Sequence, residues 1–138
     1  MQNIKEIEIR TVSGARGSLS FLQQDNGLPF VVRRIFYLHS IAPGQVRGEH
    51  AHREQRQFLI ALSGRVTVYA ESAGGRETYV LDRPDQGLLV EPLTWLKLTD
   101  FAPSTVCLVL CSAEYDEGDY LRNHDEFLNL IRSEGAKR

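Results

Sequence analysis

Arg47-Gly-Glu-His-Ala-His52, followed by Gln57-Phe-Leu-Ile-Ala-Leu62 and the turn Ser63-Gly64, is the stretch on which the reading of this chain rests. Successive side chains of an extended backbone point to opposite faces. Residues 49 to 53, if extended, therefore put His50 and His52 on one face, about 6–7 Å apart. Two imidazoles then share one cavity, and Glu49 points away from it. Gln57 opens an apolar strand that ends at a glycine turn.

Outward from this stretch, β-rich segments recur at Ile4–Arg10, Ser18–Leu22, Val31–Leu38, Arg65–Ala70, Thr78–Leu81, Gly87–Val90, Trp95–Leu98 and Val106–Ser112. Turn signals separate them at Asp25-Asn-Gly27, Pro43-Gly44, Ser72-Ala-Gly-Gly75 and Arg83-Pro-Asp85. That rhythm is the one of an all-β sandwich or barrel. The period changes at the end, where Tyr120, Leu121, His124, Phe127, Leu128 and Ile131 recur at helical spacing. One amphipathic helix is predicted over about 117–133. Asp116, Glu117 and Asp119 lie at or before its first turn, Arg132 near its last, and Gly135 stops it. The helix is expected to act as a structural lid on the barrel.

The chain has 138 residues, 42% of them apolar and 25% charged, which suits one domain over residues 1–138. A chain this long buries roughly two-thirds of its unfolded surface, enough for a core without disulfides. The net charge of -2 gives no general field toward nucleic acid or an anionic membrane, so neither is an expected partner. Thirteen of the 16 basic residues are Arg, the residue suited to bidentate phosphate recognition. No apolar h-region opens the chain and no run of 18 apolar residues occurs, so a cytoplasmic protein is expected. Cys107 and Cys111, four strand steps or about 13 Å apart, are too distant to pair and are expected to be reduced core residues.

A His-x-His followed five residues later by a polar side chain and then a glycine turn resembles the first motif of the cupins, whose jelly-roll barrel aims ligands into its lumen. In metal-binding cupins the third ligand is usually Glu, and a further His follows on a later strand. Here that third position is Gln57, and Gly87-Leu-Leu-Val-Glu-Pro-Leu-Thr-Trp95-Leu-Lys-Leu98 offers no His. An amide is a poor substitute for a carboxylate ligand. The pair is therefore read as acid/base or hydrogen-bonding groups with no metal.

Several blocks together resemble the sugar-nucleotide 3,4-ketoisomerases, WxcM-like cupins of deoxysugar biosynthesis. They are Arg16-Gly-Ser-Leu19, Pro29-Phe30 leading into Arg34-Ile-Phe-Tyr37, Arg47–His52 with Gln57, Trp95 with Asp100-Phe101, and Ser112–Arg122 with Asp125 and Phe127. The resemblance implies a cupin jelly-roll barrel with one C-terminal helix. It also implies cofactor-free conversion of a dTDP-4-keto-6-deoxyhexose to its 3-keto isomer through an enediol. Removing a proton from carbon 3 needs a base of near-neutral pKa, and His50 and His52 qualify. By resemblance Tyr37 is the lumen tyrosine that faces them, chosen over Phe36 because strand alternation admits only one of the two. Arg16, Arg34 and Arg47 are the candidate partners of the diphosphate, Gln57 a further substrate contact, and Trp95 a surface on which thymine or sugar stacks.

The departures from the family are Glu49, where an apolar residue is usual, and Leu96, where some relatives carry His. The second leaves the carbon-4 configuration of the product open. Two other classes stay in view: a divalent-metal cupin using His50, His52 and Gln57, and a non-catalytic sugar-nucleotide-binding module. A 3,5-epimerase is a neighbouring third. The strand Ile4–Arg10 would present unpaired backbone at a monomer's edge. With the strand exchange usual in the resembling family, a homodimer with exchanged N-terminal strands is expected.

Overall fold

The computed structural model describes residues 3–136, which carry twelve strands and one α-helix. In chain order the strands are β1 Ile4–Glu8, β2 Arg10–Gly14, β3 Gly17–Phe21, β4 Arg34–Leu38, β5 Arg47–His52 and β6 Gln57–Ser63. They continue with β7 Val66–Ser72, β8 Gly75–Leu81, β9 Gln86–Val90, β10 Trp95–Thr99, β11 Val106–Cys111 and β12 Tyr120–Leu121. Helix α1, His124–Ala136, follows. One antiparallel sheet has the order β1-β9-β6-β11-β4 and the other β12-β5-β10-β7-β8, with β2 and β3 forming a separate hairpin.

The β–rich reading of the sequence holds: the chain is all-β with a single C-terminal helix. Inward positions of both sheets interdigitate in one core, with Leu59, Ala61, Val68, Leu88, Leu96, Leu98, Cys107 and Val109 all buried. The outer face of the first sheet carries a second cluster of Phe58, Ile60, Leu89 and Leu110, packed against Leu22, Leu28, Phe30 and Val32 of the long connection between β3 and β4. There the aromatic ring of Phe58 lies on Gly87, whose absent Cβ would meet it at 2.2 Å. Only a glycine leaves room for the ring. Both cysteines are free and buried, and burial pushes the Cys107 thiol up to about 12.

The helix differs from the expected 117–133. Glu117–Asp119 is a single 3-10 turn capped by the Asp116 side chain, and Tyr120 and Leu121 pair with β5 as a short strand before α1 begins at His124. Tyr120 and Leu121 fit the helical period by coincidence, and the carboxylate of Asp119 is engaged elsewhere. The helix packs Phe127 and Leu128 with Leu121, Ala51 and Trp95. It covers the outside of the second sheet.

The N-terminal segment also differs. The expected strand Ile4–Arg10 divides: β1 pairs with β9 of the same chain from Ile4↔Val90 to Glu8↔Gln86 along one side and is the outermost strand of its sheet. The chain breaks at buried Ile9 and continues into the β2–β3 hairpin, which carries Val12 at 65% and Leu19 at 61% exposure. Among the described residues no helix is long and apolar enough to cross a membrane.

Candidate active site

A cavity of about 450 Å³ opens between the two sheets, lined by Arg34, Phe36, Arg47, His50, Gln57, Leu96, Tyr120 and Arg122, among others. β5 positions the histidines. Pairing with β10 jumps from Leu96↔His50 to Lys97↔Gly48, a bulge that leaves Glu49 unpaired. Gly48 takes φ +84 there, and a Cβ on it would come 3.0 Å from the Leu96 carbonyl oxygen. Glu49 takes φ 58 and points to the outer side, as alternation predicts. After the bulge His50 and His52 share one face. Their ring centroids are 5.2 Å apart, edge to face.

Each imidazole is oriented through Nδ1. That of His50 donates to the Gly48 carbonyl oxygen at 3.1 Å, which leaves its Nε2 with a free lone pair. That of His52 donates to Asp119 Oδ2 at 3.0 Å. Asp119 is itself fixed: Oδ1 accepts the Glu54 N–H at 2.8 Å and Oδ2 the Gln55 N–H at 3.2 Å. Behind the pair, Gln55 Nε2 lies 3.4 Å from His52 Nε2. Burial, then the neighbouring His52, hold His50 down at about 4. Burial also lowers His52, against the opposing pull of the Asp119 hydrogen bond and charge. Both rings are therefore neutral proton acceptors at neutral pH, and His52 has a carboxylate ready to stabilise its cation.

The phenol beside the pair is Tyr120, its ring 4.9 Å from His50 and 4.4 Å from His52. Arg122 lies over that ring at 4.2 Å and is held by Glu117 at 2.7 and 3.0 Å. Glu117 also accepts the Tyr115 hydroxyl, and hydrogen bonds from Arg122 and Tyr115 hold its carboxyl down at about 2. These groups form a braced wall on one side of the cavity.

The candidates from the sequence divide into those the cavity gathers and those it does not. Arg34, Arg47, Gln57, His50 and the adjoining His52 come together. Tyr37 also lines the cavity, but at its outer edge: it is 60% exposed, and its ring lies 5.7 Å from His39. Phe36, its neighbour on β4, is the one of the two packed on the core. Trp95 faces away from the lumen, against His124 at 4.9 Å and Phe127 at 5.6 Å, because Leu96 and Leu98 take the inward positions of β10. Arg16 sits in the turn of the β2–β3 hairpin and does not line this cavity. Asp119, Tyr120 and Arg122 were hidden by their reading as helix N-terminus, although all three lie in the Ser112–Arg122 block.

Two β-sheets face to face with a histidine pair aimed between them define a cupin. Within that class the chain belongs to the FdtA family, described as WxcM-like, C-terminal, which matches residues 2–132. The chain is 34% identical over 131 residues to TDP-4-oxo-6-deoxy-alpha-D-glucose-3,4-oxoisomerase of Aneurinibacillus thermoaerophilus, covering 95% of this chain and 94% of that one. It is similar to the crystal structure of QdtA, a sugar 3,4-ketoisomerase from Thermoanaerobacterium thermosaccharolyticum in complex with TDP. The TM-score is 0.92, with 30% identity and 96% of each chain covered. A third relative is WlaRB, a TDP-quinovose 3,4-ketoisomerase from Campylobacter jejuni. There the TM-score is 0.88, with 35% identity over 94% of this chain and 99% of that one.

Proposed function

We propose that this chain is an isomerase that converts a dTDP-linked 4-keto-6-deoxyhexose to its 3-keto isomer. The observation that carries the reading is the pair of neutral imidazoles, one opening on the cavity and the other backed by Asp119, with the Tyr120 phenol against both. The membership of the FdtA family supports it.

The chemistry needs a base at carbon 3 and proton carriers at the two oxygens. A histidine takes the carbon-3 proton, the electron pair forms the C3–C4 double bond, and the carbonyl electrons move to the carbon-4 oxygen. That oxygen is protonated to give the enediol. Loss of the proton from the carbon-3 oxygen then re-forms a carbonyl at carbon 3 as carbon 4 takes up a proton. Of the two histidines, His50 lines the cavity with its Nε2 lone pair free, so the carbon proton is assigned to it. His52, with the Asp119 carboxylate to stabilise the charge it gains, and Tyr120 against it carry protons to and from the oxygens. Arg47 and Arg122, where the cavity meets solvent, are the groups suited to the diphosphate.

The same reading makes the protein a homodimer with exchanged N-terminal strands, the β2–β3 hairpin being the segment seated on a second copy. Its exposed Val12 and Leu19 have no cover within the chain. Sedimentation equilibrium at micromolar concentration is expected to give twice 15.6 kDa, and a 15.6 kDa species alone contradicts the dimer. The activity is tested by proton NMR of dTDP-4-keto-6-deoxyglucose with chelator-treated protein. A 3-keto product is expected, while an unchanged substrate that nevertheless binds favours a binding module. Activity that returns only with added divalent metal favours a metal cupin.

A further inference from the structure

We infer that Arg34 is a catalytic donor to the oxyanion of the enediolate, and not a clamp for the diphosphate; this rests on the ketoisomerase reading of the cavity. Arg34 opens β4 and sits in register with Cys111 of β11, which in turn pairs with Gln57 of β6. Arg34 and Gln57 thus flank Cys111 across three adjacent strands, and both line the cavity. The Gln57 amide lies against the Cys111 sulfur at 4.0 Å.

The guanidinium has an unusual environment. Its Nη1 is buried and has no hydrogen-bond partner. Among the described residues no carboxylate lies within ion-pairing distance of it, although Arg56, Arg76, Arg83 and Arg122 all have one. It is held instead between two rings, over Phe36 at 4.7 Å and Tyr115 at 5.1 Å. A buried donor with neither water nor acceptor is costly to keep, and aromatic faces recover only part of that cost. An anion that forms in the cavity supplies the missing partner.

Two anions come with the proposed substrate, and burial decides between them. The diphosphate is bulky and strongly hydrated, and exposed Arg47 and half-exposed Arg122 are the cations suited to it. Arg34 is the least exposed of the three, and its charge acts on the His52 imidazole, as that of Arg122 does. It faces the same cavity as His50 and Tyr120, which move the protons. As the C3–H bond breaks, its electron pair enters the C3–C4 bond and the carbonyl pair becomes a lone pair on the carbon-4 oxygen. Arg34 keeps its own protons and donates a hydrogen bond to that oxygen until a histidine or Tyr120 protonates it. No other reactant is needed.

The test compares wild type, Arg34→Gln and Arg34→Lys in two measurements, calorimetric binding of TDP and turnover of dTDP-4-keto-6-deoxyglucose at saturation. For Arg34→Gln, TDP affinity is expected within about threefold of wild type while kcat falls about 100- to 1,000-fold, the loss typical of a removed oxyanion donor. Retained TDP binding also shows that the barrel has folded. Should the glutamine variant not fold, Arg34→Lys, which keeps the charge but loses the planar fork, is expected to show the same split with a smaller fall in kcat. A rise in the TDP dissociation constant of about tenfold or more with kcat near wild type makes Arg34 a diphosphate clamp and overturns the inference. So does a variant normal in both measurements. Wild-type protein that binds TDP but makes no 3-keto product refutes the underlying function, a result distinct from either.

Discussion

Replacing Asp119 by Asn removes one charge and almost no volume, and it isolates what the carboxylate does for His52. Asp119 accepts three hydrogen bonds, from the Glu54 and Gln55 backbone N–H groups and from His52 Nδ1. An amide has one oxygen. If that oxygen takes the Oδ2 position, the NH2 group faces the Glu54 N–H at 2.8 Å. If it takes the Oδ1 position, the NH2 group faces both the Gln55 N–H and His52 Nδ1, and His52 can only answer as an acceptor by moving its proton to Nε2. In the first case a donor confronts a donor; in the second the imidazole is also locked in the tautomer that cannot act as a base. Losing a hydrogen bond to a charged acceptor costs about 1.5–3 kcal/mol, which sets the expected loss of stability. Losing a positioned base is expected to lower turnover by about 100- to 10,000-fold. Asp119 also raises the pKa of His52, so its removal moves the acidic limb of kcat/KM to lower pH, an effect that a purely structural role does not produce. Urea unfolding, NMR turnover and a pH profile measure the three effects. Turnover within about threefold of wild type with an unmoved acidic limb refutes the assignment of Asp119 to His52.

Other expectations follow from the same geometry. His50→Asn and His52→Asn are each expected to lower turnover by about 100- to 10,000-fold in the NMR assay, and near-normal turnover in both removes the histidines from the mechanism. Stability is expected to fall with acid. His50 titrates at about 4 when folded against an ordinary 6.5, so between those values the unfolded chain binds more protons. The stabilisation by neutral His50 is complete above pH 6.5 and lost as the pH falls toward 4, with an upper bound of roughly 3 kcal/mol that water reaching the ring reduces. Urea titrations at several pH values check this, and His50→Asn should flatten the slope. Gly87→Ala drives a Cβ into the Phe58 ring and is expected to cost about 1–3 kcal/mol, seen as a fall in Tm of several degrees. An unchanged Tm contradicts the packing described.

The β architecture was legible because alternation and turn residues repeat along most of the chain, and the histidine face was legible because period-two geometry fixes it. Trp95 was also within reach. In Trp95-Leu-Lys-Leu98 the two leucines mark the inner face and Lys97 the outer one, which places Trp95 outside beside Lys97. β4 offers no such contrast: Ile35, Phe36, Tyr37 and Leu38 are all apolar or aromatic, so nothing local says which of Phe36 and Tyr37 turns inward. Asp119 and Tyr120 were obscured for a different reason. A two-residue strand is too short to show a period, and its pairing with β5 joins residues nearly 70 positions apart. The bulge at Gly48–Glu49 likewise depends on a partner strand, β10, that a local reading does not supply. Arg34 was found as a cation, but its missing partner is visible only when the packed cavity is.

The most direct test of the account is where deuterium and carbonyl go when dTDP-4-keto-6-deoxyglucose is incubated with the protein in deuterated buffer and followed by proton NMR. The account predicts loss of the carbon-3 proton, a 3-keto product newly carrying hydrogen or deuterium at carbon 4, and a carbon-5 proton that stays in place. Exchange at carbon 5 with the 4-ketone retained contradicts it and makes the cavity the site of an epimerase.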